Sequence, residues 1–412
     1  MKKNCLIAQS GGPTGVINAS VYGIYKEAKT IAKIDNIYGA INGIKGVLNS
    51  NIFSFDDENE EEIEKLKTTP SSALGSCRHR LKEIEDSDEE YKIIFNVFSK
   101  LNIGYFFYIG GNDSMDTVKK LSEYAKKHSI DIKIIGVPKT IDNDLPETDH
   151  CPGFGSAAKY ICTSVIETLY DAEVYNKNIV TIVETMGRNA GWLAASAALA
   201  SEKYDNCPDL IYLPEVAFDF DEFKQDVNEL LEKRGKVMIV VSEGIKNIDG
   251  EYIAAAGYSN CVKDAFGHVQ LGGAGDVLKS FVKEEIEPRV KLVQFDVLQR
   301  AATHCASASD LKEAECAGRI AVQFAIKGET GKMIAYKCYR DKEYNCELKA
   351  VDVSKVANKE KKIPRNWINA RGNFVNKECL DYMRPLIQGE IEGNYCDGLP
   401  AYSNLNRVKI EL

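Results

Sequence analysis

The segment Pro138-Lys139-Thr140-Ile141-Asp142-Asn143-Asp144 gathers one cation, one hydroxyl and two carboxylates. Prolines at 138 and 146 favour an extended course between them, and in an extended chain Thr140, Asp142 and Asp144 project to one side. Two neighbouring carboxylates can divide their roles, one as general base and the other holding a hydroxyl or a metal. Lys139 beside them supplies positive charge for a phosphoryl group in transfer.

Four further clusters carry complementary chemistry. Ser10-Gly11-Gly12-Pro13-Thr14-Gly15 is neither G-x-G-x-x-G nor a Walker loop, yet its glycines admit a phosphate against free backbone N–H groups; a tight turn explains it equally well. Gly110-Gly111-Asn112-Asp113-Ser114 joins two glycines to an amide, a carboxylate and a hydroxyl, a set suited to a magnesium-bound phosphate. Met186-Gly187-Arg188-Asn189-Ala190-Gly191-Trp192 offers an arginine fork for phosphate oxygens. Ser242-Glu243-Gly244 offers a carboxylate for sugar hydroxyls. Arg78 and Gln299-Arg300 are single cationic positions for which a salt bridge is the ordinary explanation.

Every one of these clusters follows a short apolar run. Cys5–Ala8, Ile37–Ile41, Tyr105–Ile109, Ile132–Val137, Ile179–Val183, Leu210–Leu213 and Val237–Val241 read as strands, several of them buried on both faces. Helical spacing recurs between them: Ile17 to Ile31, Met115 to Ala125 with Ser114 as N-cap, and Ser156 to about Tyr175. The alternation predicts an α/β fold of doubly wound type, in which ligands lie beyond the carboxyl ends of the strands. Beyond about Lys332 the alternation fades, and Ala350–Pro364 reads as surface structure. The acidic run Phe55–Glu64 reads as a solvated loop or a first helical turn.

The chain has 412 residues, enough for about two domains. Its net charge of −9 argues against a nucleic-acid binder. No apolar run approaches the roughly 20 residues needed to span a bilayer. The twelve cysteines are scattered without paired ligand spacing, which predicts reduced thiols in a cytoplasmic protein rather than a zinc site.

Taken in order, SGGPTGVINA, LGSCR, GGNDS, PKTIDND, MGRNAGW, SEG and QR resemble the phosphofructokinase family over about the first 330 residues. GGNDS and PKTIDND are closer to its pyrophosphate-dependent branch. ATP-dependent members carry glycine where this chain has Asp113 and again where it has Lys139. A carboxylate at 113 would repel the α-phosphate of a nucleotide, and a lysine at 139 fills the space beside the transferred phosphate. The resemblance implies two Rossmann-like domains with a cleft between them. One would comprise residues 1–150 plus about 300–345 and bind the phosphoryl donor. The other would comprise about 151–299 plus 346–412 and bind the sugar phosphate, with the C-terminal stretch wrapping back on the body.

By the same resemblance, Asp142 is the general base toward the sugar 1-hydroxyl and Asp144 supports it. Thr140 and Lys139 hold the transferred phosphoryl. Met186, Gly187, Arg188, Glu243 and Arg300 bind fructose 6-phosphate. Gly11, Gly12, Arg78, Gly111, Asp113 and Ser114 face pyrophosphate and Mg2+. Asn112 replaces a metal-ligating aspartate, which shifts that role toward Asp113. Ile179 stands where many relatives place an arginine that reaches a neighbouring subunit, and Lys291 and Arg289 are the nearest replacements. The implied activity is reversible phosphorylation of fructose 6-phosphate by pyrophosphate, in a homodimer or homotetramer. An ATP-dependent kinase, sedoheptulose 7-phosphate as an additional substrate and a non-catalytic regulatory subunit are the competing readings.

Overall fold

The computed structural model describes residues 2–257 and 273–412. The chain divides into two compact units, Met1–Ser156 with Arg300–Glu360 and Gly389–Leu412, and Ala157–Gln299 with Lys361–Gln388.

The first unit is built on a seven-stranded sheet. Its strands are β1 (Lys3–Gln9), β2 (Ile34–Ala40), β3 (Ile52–Ser54), β4 (Ile103–Gly110) and β5 (Lys133–Pro138). The second unit then contributes β6 (Ile179–Thr185), β7 (Leu210–Tyr212), β8 (Lys236–Ser242) and β9 (Val290–Gln294) before the chain returns with β10 (Lys332–Tyr339) and β11 (Asn345–Asp352). The order in the large sheet is β11-β10-β5-β4-β1-β2-β3. Parallel pairing runs from β2 to β10, and β3 and β11 close the edges antiparallel. The smaller sheet, β7-β8-β6-β9, is parallel throughout. The central strands β1, β4 and β6 are almost wholly buried, which is why they read as continuous apolar runs rather than alternating ones.

Two apolar layers cover the large sheet. One includes Leu6, Phe106, Tyr108, Ile134 and Met333; the other includes Ile7, Phe107, Ile109, Val137 and Ile334. The second layer contains the helix Ile17–Thr30 packed on the helix Ala308–Ile326. These two helices meet backbone to backbone. A methyl group on Gly23 would fall 2.1 Å from the carbonyl oxygen of Glu315, and one on Gly318 would fall 2.2 Å from that of Ser20.

Three expectations need correction. The stretch after Lys332 is not irregular: it forms the β10–β11 hairpin, whose pairing with β5 places 346–360 in the first unit. The terminal residues 389–412 also belong to that unit. The acidic run holds them there, since Glu58 accepts from the Asn406 and Arg407 N–H groups and Glu62 from that of Asn404. Third, the helix after β4 spans Asn112–Lys127 with Gly111 at its N-cap, so Ser114 lies inside the first turn rather than capping it.

Candidate active site

Within the large sheet, β1, β4 and β5 run parallel with Gln9 opposite Ile109 and Gly110 opposite Pro138. The loops that follow these three strands therefore leave one edge at the same level. Each carries a cluster singled out from the sequence.

Lys139 is buried. Its ammonium donates to the Gly12 carbonyl and lies 3.2 Å from where a Gly11 Cβ would be. Its own N–H donates to the Gly110 carbonyl at 3.0 Å, which joins the β4 and β5 loops. Burial pushes the Lys139 pKa down to about 8; Asp142 and Asp144 act against that, and Arg300 and Arg78 act with it. Those five side chains thus share one field. Arg300 reaches the first loop from the other side, with a guanidinium nitrogen 3.1 Å from a Cβ built on Gly12. Arg78 is carried along the same loop. Its neighbours Ser76 and Cys77 bond Gly11, Ser76 Oγ to the Gly11 carbonyl at 2.6 Å and the Gly11 N–H to the Cys77 carbonyl at 3.3 Å.

The Thr140–Asp144 segment is not extended as expected. It turns at Ile141–Asp142, and Asn143 adopts a left-handed conformation with φ 53°. Local polar bonds outweigh the proline bias. The Thr140 hydroxyl accepts from the Asp142 N–H at 3.1 Å and donates to the Asp142 carboxylate at 3.3 Å. The Asn143 side chain accepts from the Cys151 N–H at 3.0 Å. Farther along, buried Asp310 binds the N–H groups of Gly153 and Ser156 at 2.9 Å each. Asp142 and Asp144 remain half-buried while Ile141, Asn143 and Leu145 are buried.

The β4 loop also departs from expectation at one residue. The Asn112 amide donates to the Lys359 carbonyl and its oxygen accepts from the Asn358 N–H. Both ends of the Asn112 amide are thus engaged by the 358–359 backbone, which ties the start of this helix to that segment. Asp113 is half-buried in the first helical turn. Ser114 is buried, and its hydroxyl occupies the space a Gly110 side chain would take.

In the second unit, β6 and β8 run parallel and end together, Thr185 opposite Ser242. The loops that follow bring Met186, Gly187, Arg188 and Glu243 into one group. The Glu243 carboxylate accepts from the Gly187 N–H at 3.1 Å, and Gln299 accepts from the Met186 N–H at 3.2 Å. Ser242 Oγ donates to the Gly187 carbonyl. A methyl group on Gly244 would lie 1.9 Å from the Arg188 carbonyl oxygen, so glycine alone lets the two loops touch. Glu215, unremarked in the sequence, accepts from the N–H groups of Gly191 and Ile363; no local pattern marks it.

Lys291 does not join this group. It lies opposite Thr181, four residues before the end of β6, or roughly 13 Å at strand rise. Its ammonium pairs with Asp171 at 2.7 Å and stands over the Tyr175 ring. Arg289 bonds Glu287, and Ile179 is buried at the start of β6.

Glycine-bordered loops beyond parallel strands, a buried lysine and paired aspartates define an α/β phosphotransferase. The chain belongs to the phosphofructokinase family, which residues 4–295 match. It is 40% identical over 411 residues to the pyrophosphate–fructose 6-phosphate 1-phosphotransferase of Methylococcus capsulatus, covering 99% of this chain and 97% of that protein. It is 42% identical over 410 residues to the protein of the same name from Xanthomonas campestris, with the same coverage. The crystal structure of a pyrophosphate-dependent phosphofructokinase from Nitrosospira multiformis superposes with a TM-score of 0.88 at 38% identity, covering 100% of this chain and 98% of that one. Among the described residues, no helix is long and apolar enough to cross a membrane.

Proposed function

We propose that this chain transfers a phosphoryl group reversibly between pyrophosphate and the 1-hydroxyl of fructose 6-phosphate, yielding fructose 1,6-bisphosphate. The observation that carries this reading is Lys139. Its buried ammonium lies against the Gly11–Gly12 loop, so the space at the phosphate loop is occupied by a cation rather than left open for a nucleotide. Asp113 on the level neighbouring loop adds negative charge where an α-phosphate would lie.

Asp142, aimed by Thr140, takes the proton from the sugar 1-hydroxyl as its oxygen attacks phosphorus. Asp144 supports that carboxylate. Lys139, Arg78 and the Gly11, Gly12 and Gly111 backbone hold the donor's oxygens as charge moves to the leaving phosphate. Arg188, Arg300, Glu243, Met186 and Gly187 hold the sugar phosphate, and Gln299 and Ser242 set the loop that presents them. The Asp113 carboxylate is a hard donor of the kind Mg2+ takes; bound there with pyrophosphate, Mg2+ would neutralise phosphate charge. A reducing cytoplasm suits the eleven free cysteines among the described residues.

The test is steady-state turnover with pyrophosphate and with ATP, each against fructose 6-phosphate and sedoheptulose 7-phosphate. Preference for ATP would overturn the donor assignment, and absence of any turnover would leave a regulatory subunit.

A further inference from the structure

Away from the phosphate loops, the outer end of the β10–β11 hairpin holds a cluster that phosphoryl transfer does not use. Cys338 and Cys346 are directly opposed in the antiparallel register, and their Sγ atoms are 3.0 Å apart. Directly opposed residues on paired strands have Cα atoms about 4.5–5.5 Å apart, within the span a disulfide bridges. Both side chains are half-buried on the inward face of the hairpin, between exposed neighbours Lys337, Tyr339, Asn345 and Glu347. Water and small solutes therefore reach them, unlike buried Cys5 or Cys151.

The surroundings favour a thiolate at one sulfur of the pair. His150 Nδ1 lies 3.7 Å from Cys338 Sγ. The other ring nitrogen, Nε2, meets Glu313 at 2.6 Å, and Asp149 lies 3.1 Å from Nδ1. Burial opposes a charge on His150, but Glu313 and Asp149 overcome it and hold the ring protonated. Arg340 in turn forks onto Asp149, and Tyr344 donates to Glu313. The hydrogen bond shared with Cys346, with His150 behind it, draws the Cys338 pKa down to about 6 against burial. A low-pKa, partly exposed thiol beside a second thiol is the arrangement of an attacking cysteine and its resolving partner.

We propose that Cys338 and Cys346 form a reversible oxidation site, with Cys338 the attacking and Cys346 the resolving thiol toward hydrogen peroxide. The Cys338 thiolate attacks one peroxide oxygen. An S–O bond forms, the O–O bond breaks, and hydroxide leaves to become water, giving a sulfenic acid. Cys346 then attacks that sulfur. The S–S bond forms, the S–O bond breaks, and the departing hydroxide takes the Cys346 proton. One peroxide is reduced to two waters as two thiols become one disulfide, and an external dithiol reverses the change.

The test uses the reduced, full-length protein. It is exposed to hydrogen peroxide, alkylated and mapped by peptide mass spectrometry. The expected product is a Cys338–Cys346 cross-linked peptide that dithiothreitol removes. It should form at least ~10-fold faster than oxidation of exposed Cys396, because the thiolate is the reactive form. In Cys346→Ser, dimedone should trap a sulfenic acid at Cys338, and in Cys338→Ser, Cys346 should stay unmodified. The wild-type measurement decides the matter without either variant. Unchanged alkylation of both cysteines after peroxide would overturn the proposal. Retention of added Zn2+ through desalting, with both thiols shielded and no cross-link formed, would overturn it in favour of a metal site.

Discussion

The Lys139 ammonium donates to the main-chain carbonyl of Gly12, which fixes a buried cation against the loop that follows β1. That bond joins two segments 127 residues apart.

Turnover should fall as pH rises through about 8, the range in which Lys139 loses its proton. The limb should appear in kcat/KM for pyrophosphate, which reports the free enzyme. Bound pyrophosphate favours the charged lysine, so the limb in kcat should lie at higher pH. Stability should move oppositely. The folded pKa lies below that of free lysine, so the unfolded chain binds more protons from about 8 upward, and this group's contribution to stability rises with pH over that window. pH–rate profiles of wild type and Lys139→Arg test the assignment. An identical alkaline limb in the arginine variant would remove Lys139 from it.

Asp142→Asn keeps size and reach while abolishing proton acceptance. Turnover should drop at least ~10²-fold in both directions, with substrate affinities little changed. Near-wild-type rates would mean another group takes the proton.

Asp113→Gly should raise the rate with ATP relative to pyrophosphate by relieving repulsion of the α-phosphate; each ~1.4 kcal/mol relieved is tenfold. Lys139→Gly alone should lower pyrophosphate turnover without conferring good ATP use. The double variant should favour ATP more than either single change. Initial rates with both donors decide, and an unaltered donor ratio in Asp113→Gly would sink the electrostatic account.

Arg188→Ala should weaken fructose 6-phosphate binding and lower kcat together, because a fork that holds a phosphate also orients the sugar. The KM for pyrophosphate should move less. A change confined to pyrophosphate would place Arg188 with the other substrate.

Gly244→Ala drives a methyl group into the Arg188 carbonyl. Separating the two loops should raise the sugar KM by ~10-fold and cost ~1–3 kcal/mol of stability. Thermal melts and sugar titrations read both effects, and wild-type values in both would show that the loops part freely.

How much of this was legible follows from where each bond goes. The parallel strands were plain because burial on both faces leaves an apolar run. The clusters at their carboxyl ends were plain because glycine, proline and charge crowd there. β11 was legible in principle: Cys346, Leu348 and Ala350 alternate with Asn345, Glu347 and Lys349 as one half-buried face does. Its lysines and glutamate made it look like surface chain. The turn at Ile141–Asp142 depends on a threonine hydroxyl competing with a proline bias, and type alone does not say which prevails. The engagement of Asn112 by Asn358 and Lys359 crosses more than 240 residues and leaves no mark in either segment.

The discontinuity of the first unit has a consequence for biosynthesis. The second unit's sheet is complete once Gln294 has been made. The first unit, though it starts the chain, still lacks Arg300, the helix Ala308–Ile326 and β10 at that moment. Its Ile17–Thr30 helix must leave the ribosome with the glycine face around Gly23 uncovered, and it stays so while some 290 further residues emerge. At roughly 5–20 residues per second, that exposure lasts on the order of tens of seconds. The Ile17–Thr30 helix therefore gains its partner only when the helix Ala308–Ile326 has been made, and the phosphate loop that precedes it waits equally long for Arg300.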